Sequence, residues 1–427
     1  EDEFIFVLEG PEMLALQPRP SEQLLASCVY EFPFALSVPG RYHLNLVWAR
    51  DGFLGTRETV RLWPPCHFDL PLGAHAFLDL GAADDSATSA ALTRARRQKG
   101  LPHCAAMGPG VASGGRWVSR KREDWLPGGP PRLVRCAQWG PPAGNGTFTP
   151  MAWPAAEGPA AGGASIQGAG AAASLGEAKE ASRWRPEDGC GGYMESAVDY
   201  TKYDWRPLNC RARHFSQEAA GACVRKRRLL LRGDSHMRKL FEAVMKFACN
   251  ASRDVKGWQS VCSSDVVGSS CGSSPQVCFE ADPLGERTEG LSDYDLVVAN
   301  FGQHPASGKK QMTLAQYKVA VDTYAQKVME EVQGLPSGSP RFAWHETNAM
   351  PFRNDHMASD RRDWRTTQRL ALYNKHSTKV FSDLGVPIVE SFAPTLAMAL
   401  QAPDIAHFPP AVLAPMVQRV LDLLCPA

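Results

Sequence analysis

Two short stretches of this sequence carry residue types that could act together on a carbonyl. The first, Leu229-Leu230-Leu231-Arg232-Gly233-Asp234-Ser235-His236, sets a serine just past an apolar, strand-like run and at the start of a helical pattern. In open α/β sheets, ligands bind outside the carboxyl ends of the strands. A hydroxyl at a helix N-terminus sits among unpaired backbone N–H groups and the positive end of the helix dipole, which suit a developing oxyanion. Gly233 permits the close approach such a turn needs. A serine hydroxyl is a poor nucleophile unless a base takes its proton and a third group orients that base. The second stretch, Asp404-Ile405-Ala406-His407-Phe408, offers both. Its carboxylate can reach back to the imidazole within one turn of chain and fix the tautomer, leaving the other ring nitrogen for the serine.

Each stretch alone has a plainer reading. Gly-Asp-Ser is more often a polar turn with a capping residue, and Asp-x-x-His is more often a surface loop. Arg232-Gly233-Asp234-Ser235 could also be read as an adhesion peptide, but recognition loops lie on exposed surface and this tetrapeptide follows a buried-strand pattern. Nor is it the Gly-x-Ser-x-Gly elbow of α/β-hydrolases, because Met237 takes the second glycine position. The basic run Val224 to Arg228 could meet an anionic glycan, although such runs are more often solvated. His345-Glu346 with His356 lacks the spacing of a zinc helix, so no metal site is expected; strand-end substrate contacts or surface roles fit those residues better. Trp344 and Trp364 are candidates to line a sugar groove, against core packing as the default for tryptophan.

These residues need a scaffold. Residues 1–72 read as short strands, Phe4 to Leu8, Cys28 to Val38, Tyr42 to Trp48 and Thr59 to Trp63, separated by Pro- and Gly-containing turns, and predict a small Ig-like β-sandwich. Residues 73–153 are an irregular connecting region. Residues 154–182 are rich in Ala and Gly, a composition that buries too little apolar area to offset its ordering entropy and predicts a linker. From 183 to 427 the pattern changes. Strands are expected at Arg228 to Arg232, Asp295 to Asn300, Arg341 to His345 and Val386 to Glu390. They alternate with helices at about 236–249, 313–332, 360–384 and 409–424, which predicts a doubly wound, flavodoxin-like parallel sheet with helices on both faces.

Composition narrows the function classes. Among 427 residues, 46 Lys and Arg nearly balance 45 Asp and Glu, so no global field favours nucleic acid or an anionic membrane. No apolar run is long enough to span a bilayer, and any leader or anchor is expected outside this sequence. Twelve cysteines contain no Cys-x-x-Cys pair, which argues against zinc ribbons and thioredoxin-type sites. With the sequons at Asn145 and Asn250, they point to an oxidising, glycosylating compartment, the secretory lumen (Golgi) or the extracellular space.

The conjunction of Gly233-Asp234-Ser235 after the first α/β strand with Asp404 and His407 before the closing helix resembles the SGNH or GDSL hydrolases. More narrowly it resembles the PC-esterase group, which includes the trichome birefringence-like polysaccharide O-acetyltransferases, the fungal capsule-associated proteins and the neurexophilin/PC-esterase proteins. The resemblance runs from about Trp184 onward. It includes Trp205-Arg206-Pro207-Leu208-Asn209-Cys210, Cys223, Arg238 and the Asn300-Phe301-Gly302-Gln303-His304 turn. It implies an acyl-enzyme on Ser235, with His407 as base then acid and Asp404 orienting it. The implied oxyanion hole uses the Ser235 backbone N–H with Asn300 or Gly302, and substrate contacts fall to Arg238, His304, His345 and Trp344. The substrate implied is a carbohydrate and the group acetyl, with no cofactor beyond an acetyl donor such as acetyl-CoA. The sequence departs from the wider superfamily in lacking a clear second-block glycine and the plant Cys/Trp pattern around the histidine. The alternative from another class is a secreted glycan-binding or adhesion protein that catalyses nothing.

Overall fold

The computed structural model describes residues 3–17, 32, 34–50, 70–80, 90, 100–104, 115–120, 132–134, 193–195, 199–251, 259–266, 271, 277–307, 310, 312–333, 341–351, 365–399, 402 and 406–426. Its strands are β1 (Glu3–Glu9), β2 (Glu12–Leu16), β3 (Gly40–Arg50), β4 (Leu70–Leu80), β5 (Gly115–Ser119), β6 (Arg132–Val134), β7 (Tyr193–Glu195), β8 (Tyr203–Pro207), β9 (Leu229–Gly233), β10 (Val261–Cys262), β11 (Val277–Ala281), β12 (Leu296–Ala299), β13 (Arg341–His345) and β14 (Ile388–Val389). The α-helices are α1 (Gln217–Val224), α2 (Ser235–Cys249), α3 (Leu314–Gln333), α4 (Thr367–Asp383), α5 (Phe392–Ala397) and α6 (Pro410–Leu424).

One six-stranded sheet runs β4-β3-β1-β2-β5-β8, with every neighbouring pair antiparallel. It does not close within residues 1–72. β5 falls in the stretch read as irregular, and β8 lies beyond the expected boundary at 183, because β2 takes its partner from β5 and β5 takes its partner from β8. The expected strand at Cys28 to Val38 is absent at residues 34–38, and the one at Thr59 to Trp63 lies outside the described residues. Arg116 on β5 donates to the buried Glu12 carboxylate at 2.8 Å, pinning that strand pair.

The second sheet runs β10-β11-β9-β12-β13-β14. All of its pairs are parallel except β10 with β11, so the chain is mixed α/β with one mostly parallel sheet. β9 and β12 are buried at every position, as strands covered on both faces must be. Alternate residues face opposite layers. Leu229, Leu231 and Val298 pack with Leu240, Val244, Val417 and Leu421 of α2 and α6. Leu230, Val297 and Trp344 pack with Tyr317, Tyr324 and Phe381 of α3 and α4. Side-chain caps start three of these helices: Ser216 accepts from the Ala219 N–H, Asp234 from the His236 N–H and Thr366 from the Arg369 N–H.

The two six-stranded sheets share a core, and β6 and β7 form a separate antiparallel pair. Ile5 and Val7 pack on Ala349, Leu396 and Ala399, and the Trp117 indole N–H donates to the Pro394 carbonyl at 3.0 Å. Disulfides join Cys104 to Cys210, Cys223 to Cys425, Cys249 to Cys271 and Cys262 to Cys278, which fits an oxidising, secreted or lumenal environment. Among the described residues no helix is long and apolar enough to cross a membrane.

Candidate active site

The parallel strands lie in the order β11, β9, β12, β13, β14. From β9 the chain goes to one side for β11 and then to the other for β12, so the carboxyl ends of β9 and β12 flank the crevice where the order reverses. The corner is tight. Gly233 has φ +153°, and a Cβ there would overlap the Asn300 carbonyl oxygen, while the Asn300 N–H donates to the Arg232 carbonyl at 3.1 Å.

Ser235 is the first residue of α2 and is partly exposed, so its N–H belongs to the first-turn donors that no intrahelical carbonyl satisfies. Beside it Asp234 is fully buried. One carboxylate oxygen caps α2 at 2.8 Å from the His236 nitrogen, and the other has no hydrogen-bond partner among the described residues. Burial pushes the Asp234 carboxyl above the usual range, against the pull of His304, the His236 N–H, His407 and Arg365.

His407 comes to the same corner. Its ring lies 5.5 Å, centroid to centroid, from that of His236, the residue after the serine. His236 Nδ1 accepts from the Asn348 amide at 2.8 Å, which leaves the neutral ring's proton on Nε2. Among the described residues Ser235 makes no hydrogen bond with His407, so the serine and the imidazole share a corner without the direct contact that a primed pair has. Asp404 lies outside the described residues.

The Asn300 side chain donates to the His345 carbonyl at 2.8 Å and to Thr347 Oγ1 at 3.2 Å. Both its amide hydrogens are thus committed to bracing β12 against the loop after β13, and the side chain is not a free oxyanion donor. Gly302 packs so closely on Thr347 that a Cβ would collide with that side chain. Arg238 and His304 are half-buried near the corner. The Arg238 N–H donates to the Asp234 carbonyl at 3.1 Å, and His304 acts electrostatically on Asp234.

Two expected substrate contacts need correction. Trp344 is 0% exposed, stacked on Phe381 at 4.4 Å and edge-on to Phe301 at 5.4 Å, so it is core and lines no groove. His345 is 2% exposed, and burial lowers its pKa to about 4, which keeps a neutral, sealed imidazole beneath the site. The adhesion reading fails as well. The Arg232 guanidinium is buried, pairs with Glu280 at 2.6 Å and donates to the carbonyls of Arg287 and Glu289.

Sequence reasoning missed His236, Gln303 and Asn348 as members of the site. Gln303 donates to the Asn348 carbonyl at 3.0 Å, and Asn348 in turn holds His236. Their one sequence signal was position, each lying within a few residues of a strand's carboxyl end. Asn300 Oδ1, Gln303 Oε1 and Asn348 Oδ1, like the second Asp234 oxygen, are buried acceptors with no partner among the described residues. Asn250 is exposed at the left-handed C-cap of α2, open to glycosylation, whereas Asn145, His356 and Trp364 lie outside the described residues. Among the described residues no group of three or more His, Cys, Asp or Glu could hold a metal ion. No family model, no curated protein and no solved structure matches this chain.

Proposed function

We propose that this chain is a serine-dependent O-acyl transferase or esterase acting on carbohydrate, with an SGNH-like α/β domain of the PC-esterase type. What carries the reading is one juxtaposition: the His407 imidazole lies against the residue next to Ser235, at the crevice where the strand order reverses. The 2-1-3-4-5 order of the parallel strands, with helix layers on both faces, supports the doubly wound assignment.

In this mechanism Ser235 Oγ attacks the acyl carbonyl as His407 takes its proton. The Ser235 N–H faces the resulting oxyanion, with the Gly302 backbone as the second expected donor. The leaving alcohol or thiol takes the proton from His407, and an acyl-enzyme remains. Water or a sugar hydroxyl then gives its proton to His407, attacks the ester and frees Ser235, with Asp404 steadying the imidazolium. Hydrolysis and transfer differ only in which acceptor occupies the second step. Transfer needs an acetyl donor such as acetyl-CoA. The buried, unpartnered acceptors of Asn300, Gln303 and Asn348 suit the hydroxyl donors of a sugar, because a buried acceptor left unpaired costs about 1–3 kcal/mol. The four disulfides among the described residues and the exposed Asn250 support residence in the Golgi lumen or outside the cell.

The second reading, a glycan-recognition protein without catalysis, is favoured by the missing Ser235–His407 hydrogen bond. A fluorophosphonate probe separates the two. The acyl-transfer reading expects the chain to be labelled, with labelling abolished in Ser235→Ala at unchanged circular dichroism. Labelling that persists in that variant refutes the nucleophile, and a folded chain that is never labelled favours recognition. Assays on acetylated and unacetylated glycans, with and without acetyl-CoA, then tell esterase from transferase.

A further inference from the structure

Away from the serine corner, a cavity of about 460 Å³ opens where the N-terminal sheet meets the flank of the α/β domain. Ligand pockets commonly measure roughly 300–1,000 Å³ and favour such junctions. One wall is Tyr200, half-buried just before β8 and backed by the core rings of Trp117 on β5 and of Tyr203 and Trp205 on β8, which are 2%, 2% and 8% exposed. These rings are held from behind. Trp117 donates to the Pro394 carbonyl, Tyr203 donates to the Gly10 carbonyl at 2.8 Å, and the two indoles meet edge to face at 5.7 Å. The opposite wall is the outer face of α6 with the edge strand β14.

The charges in the lining cancel. Arg120, Arg213 and Arg419 stand against Asp204, Glu390 and Asp422. Arg120 pairs with Asp204 at 3.0 Å and Arg419 with Asp422 at 3.3 Å, while Arg213 donates to the Cys425 carbonyl at 2.8 Å. An apolar ligand would strip water from these ion pairs without replacing its hydrogen bonds. A strongly anionic one would meet three carboxylates. A neutral, polyhydroxylated ligand satisfies both walls: its C–H faces cover the Tyr200 ring and the accessible apolar surface of Ile388, Ala411 and Ala414, its hydroxyls donate to the carboxylates, and its oxygens accept from the guanidinium groups.

The geometry points to a saccharide-binding cavity for a short neutral segment of a glycan chain. It extends the carbohydrate reading above, yet shares none of the residues at the serine corner and does not depend on Ser235 being a nucleophile.

The test uses the full chain carrying Ser235→Ala, so that no turnover occurs, titrated calorimetrically with xylotetraose, cellotetraose and mannotetraose. At least one should bind saturably. Ala414→Trp, which fills the cavity from an exposed position on α6, should weaken that binding at least tenfold. Asp422→Asn, which keeps the side chain's shape, should weaken it similarly and serves if the first variant does not fold. Both changes placed in the Ser235 chain should leave fluorophosphonate labelling as it was, so failure of the cavity and failure of the nucleophile are read separately. The proposal is overturned if none of the three tetrasaccharides binds. It is equally overturned if binding survives in folded variants, or if trigalacturonate, an anionic probe, binds more tightly than all three.

Discussion

The imidazole rings of His236 and His407 face one another with centroids 5.5 Å apart and planes tilted by 38°. One is held from α2 by Asn348 and the other hangs from the segment leading into α6. His236 is buried with its Nδ1 engaged while His407 is only half-buried, so under the proposed acyl transfer the two rings have separate tasks. His407→Gln should lower the rate of acyl-enzyme formation by about 10²–10⁴-fold, the usual worth of a general base. His236→Gln should cost far less. The release rate of p-nitrophenol from p-nitrophenyl acetate measures both, and equal losses would transfer the base role to His236.

Gly233 is the hinge of the corner. Its φ of +153° favours glycine, and a side chain there would strike the Asn300 carbonyl. Gly233→Ala should therefore destabilise the fold by about 1–3 kcal/mol and displace Ser235 from the crevice. Urea midpoints give the first effect and fluorophosphonate labelling rates the second. A variant of native stability and native labelling would show that the close approach of β9 to β12 is dispensable.

Glu346 should make stability fall with rising pH. Burial and the neighbouring Glu390 raise its pKa from 4.5 to about 7, opposed by the N–H groups of Phe392 and Ser391. The folded state therefore binds this proton more tightly than the unfolded chain. Its stabilising contribution is complete below about pH 4.5 and is lost as pH rises through about 7, up to about 3 kcal/mol in all. His345, with its pKa lowered to about 4, contributes in the opposite sense: its share is present above the ordinary value and lost as pH falls. Glu346→Gln isolates the first effect by difference. Because the His345 contribution runs the other way over the same range, Glu346→Gln should gain stability at pH 8 relative to pH 5 when compared with the parent in thermal unfolding, and an unchanged difference between the two pH values would place the proton elsewhere.

Trp344 should behave as core. Trp344→Ala removes a ring enclosed by Phe301, Tyr324 and Phe381 and should cost about 3–5 kcal/mol. The KM of whatever fraction stays folded should not change. A stable variant with a raised KM would restore the groove-lining role.

The α/β half was legible because its strands are buried on both faces. Leu229–Gly233 and Leu296–Ala299 are short apolar runs, and the amphipathic stretches that became α2, α3 and α6 carry a clear helical period. β10 and β11 were missed because they are short and held together by Cys262–Cys278 rather than by a long hydrophobic pattern. The N-terminal sheet was misjudged in extent, since β5 and β8 join it from far along the chain and pairing at that range leaves no local trace. That Ser235 starts a helix and His407 precedes one could be read from the sequence. The bracing by Asn300, Gln303 and Asn348 could not, because it consists of side-chain contacts between separate loops. Trp344 and His345 misled for a related reason: a strand's last residues can point into the core as readily as into the crevice.

The bond between Cys223 and Cys425 spans 202 residues, and it fastens α6, whose lead-in holds His407, to α1. A nascent polypeptide emerges in order, so this link cannot form until every intervening strand has left the ribosome. The fastening of the chain around His407 then comes late in biogenesis and waits on an oxidising environment, whereas the turn around residue 235 needs only local folding.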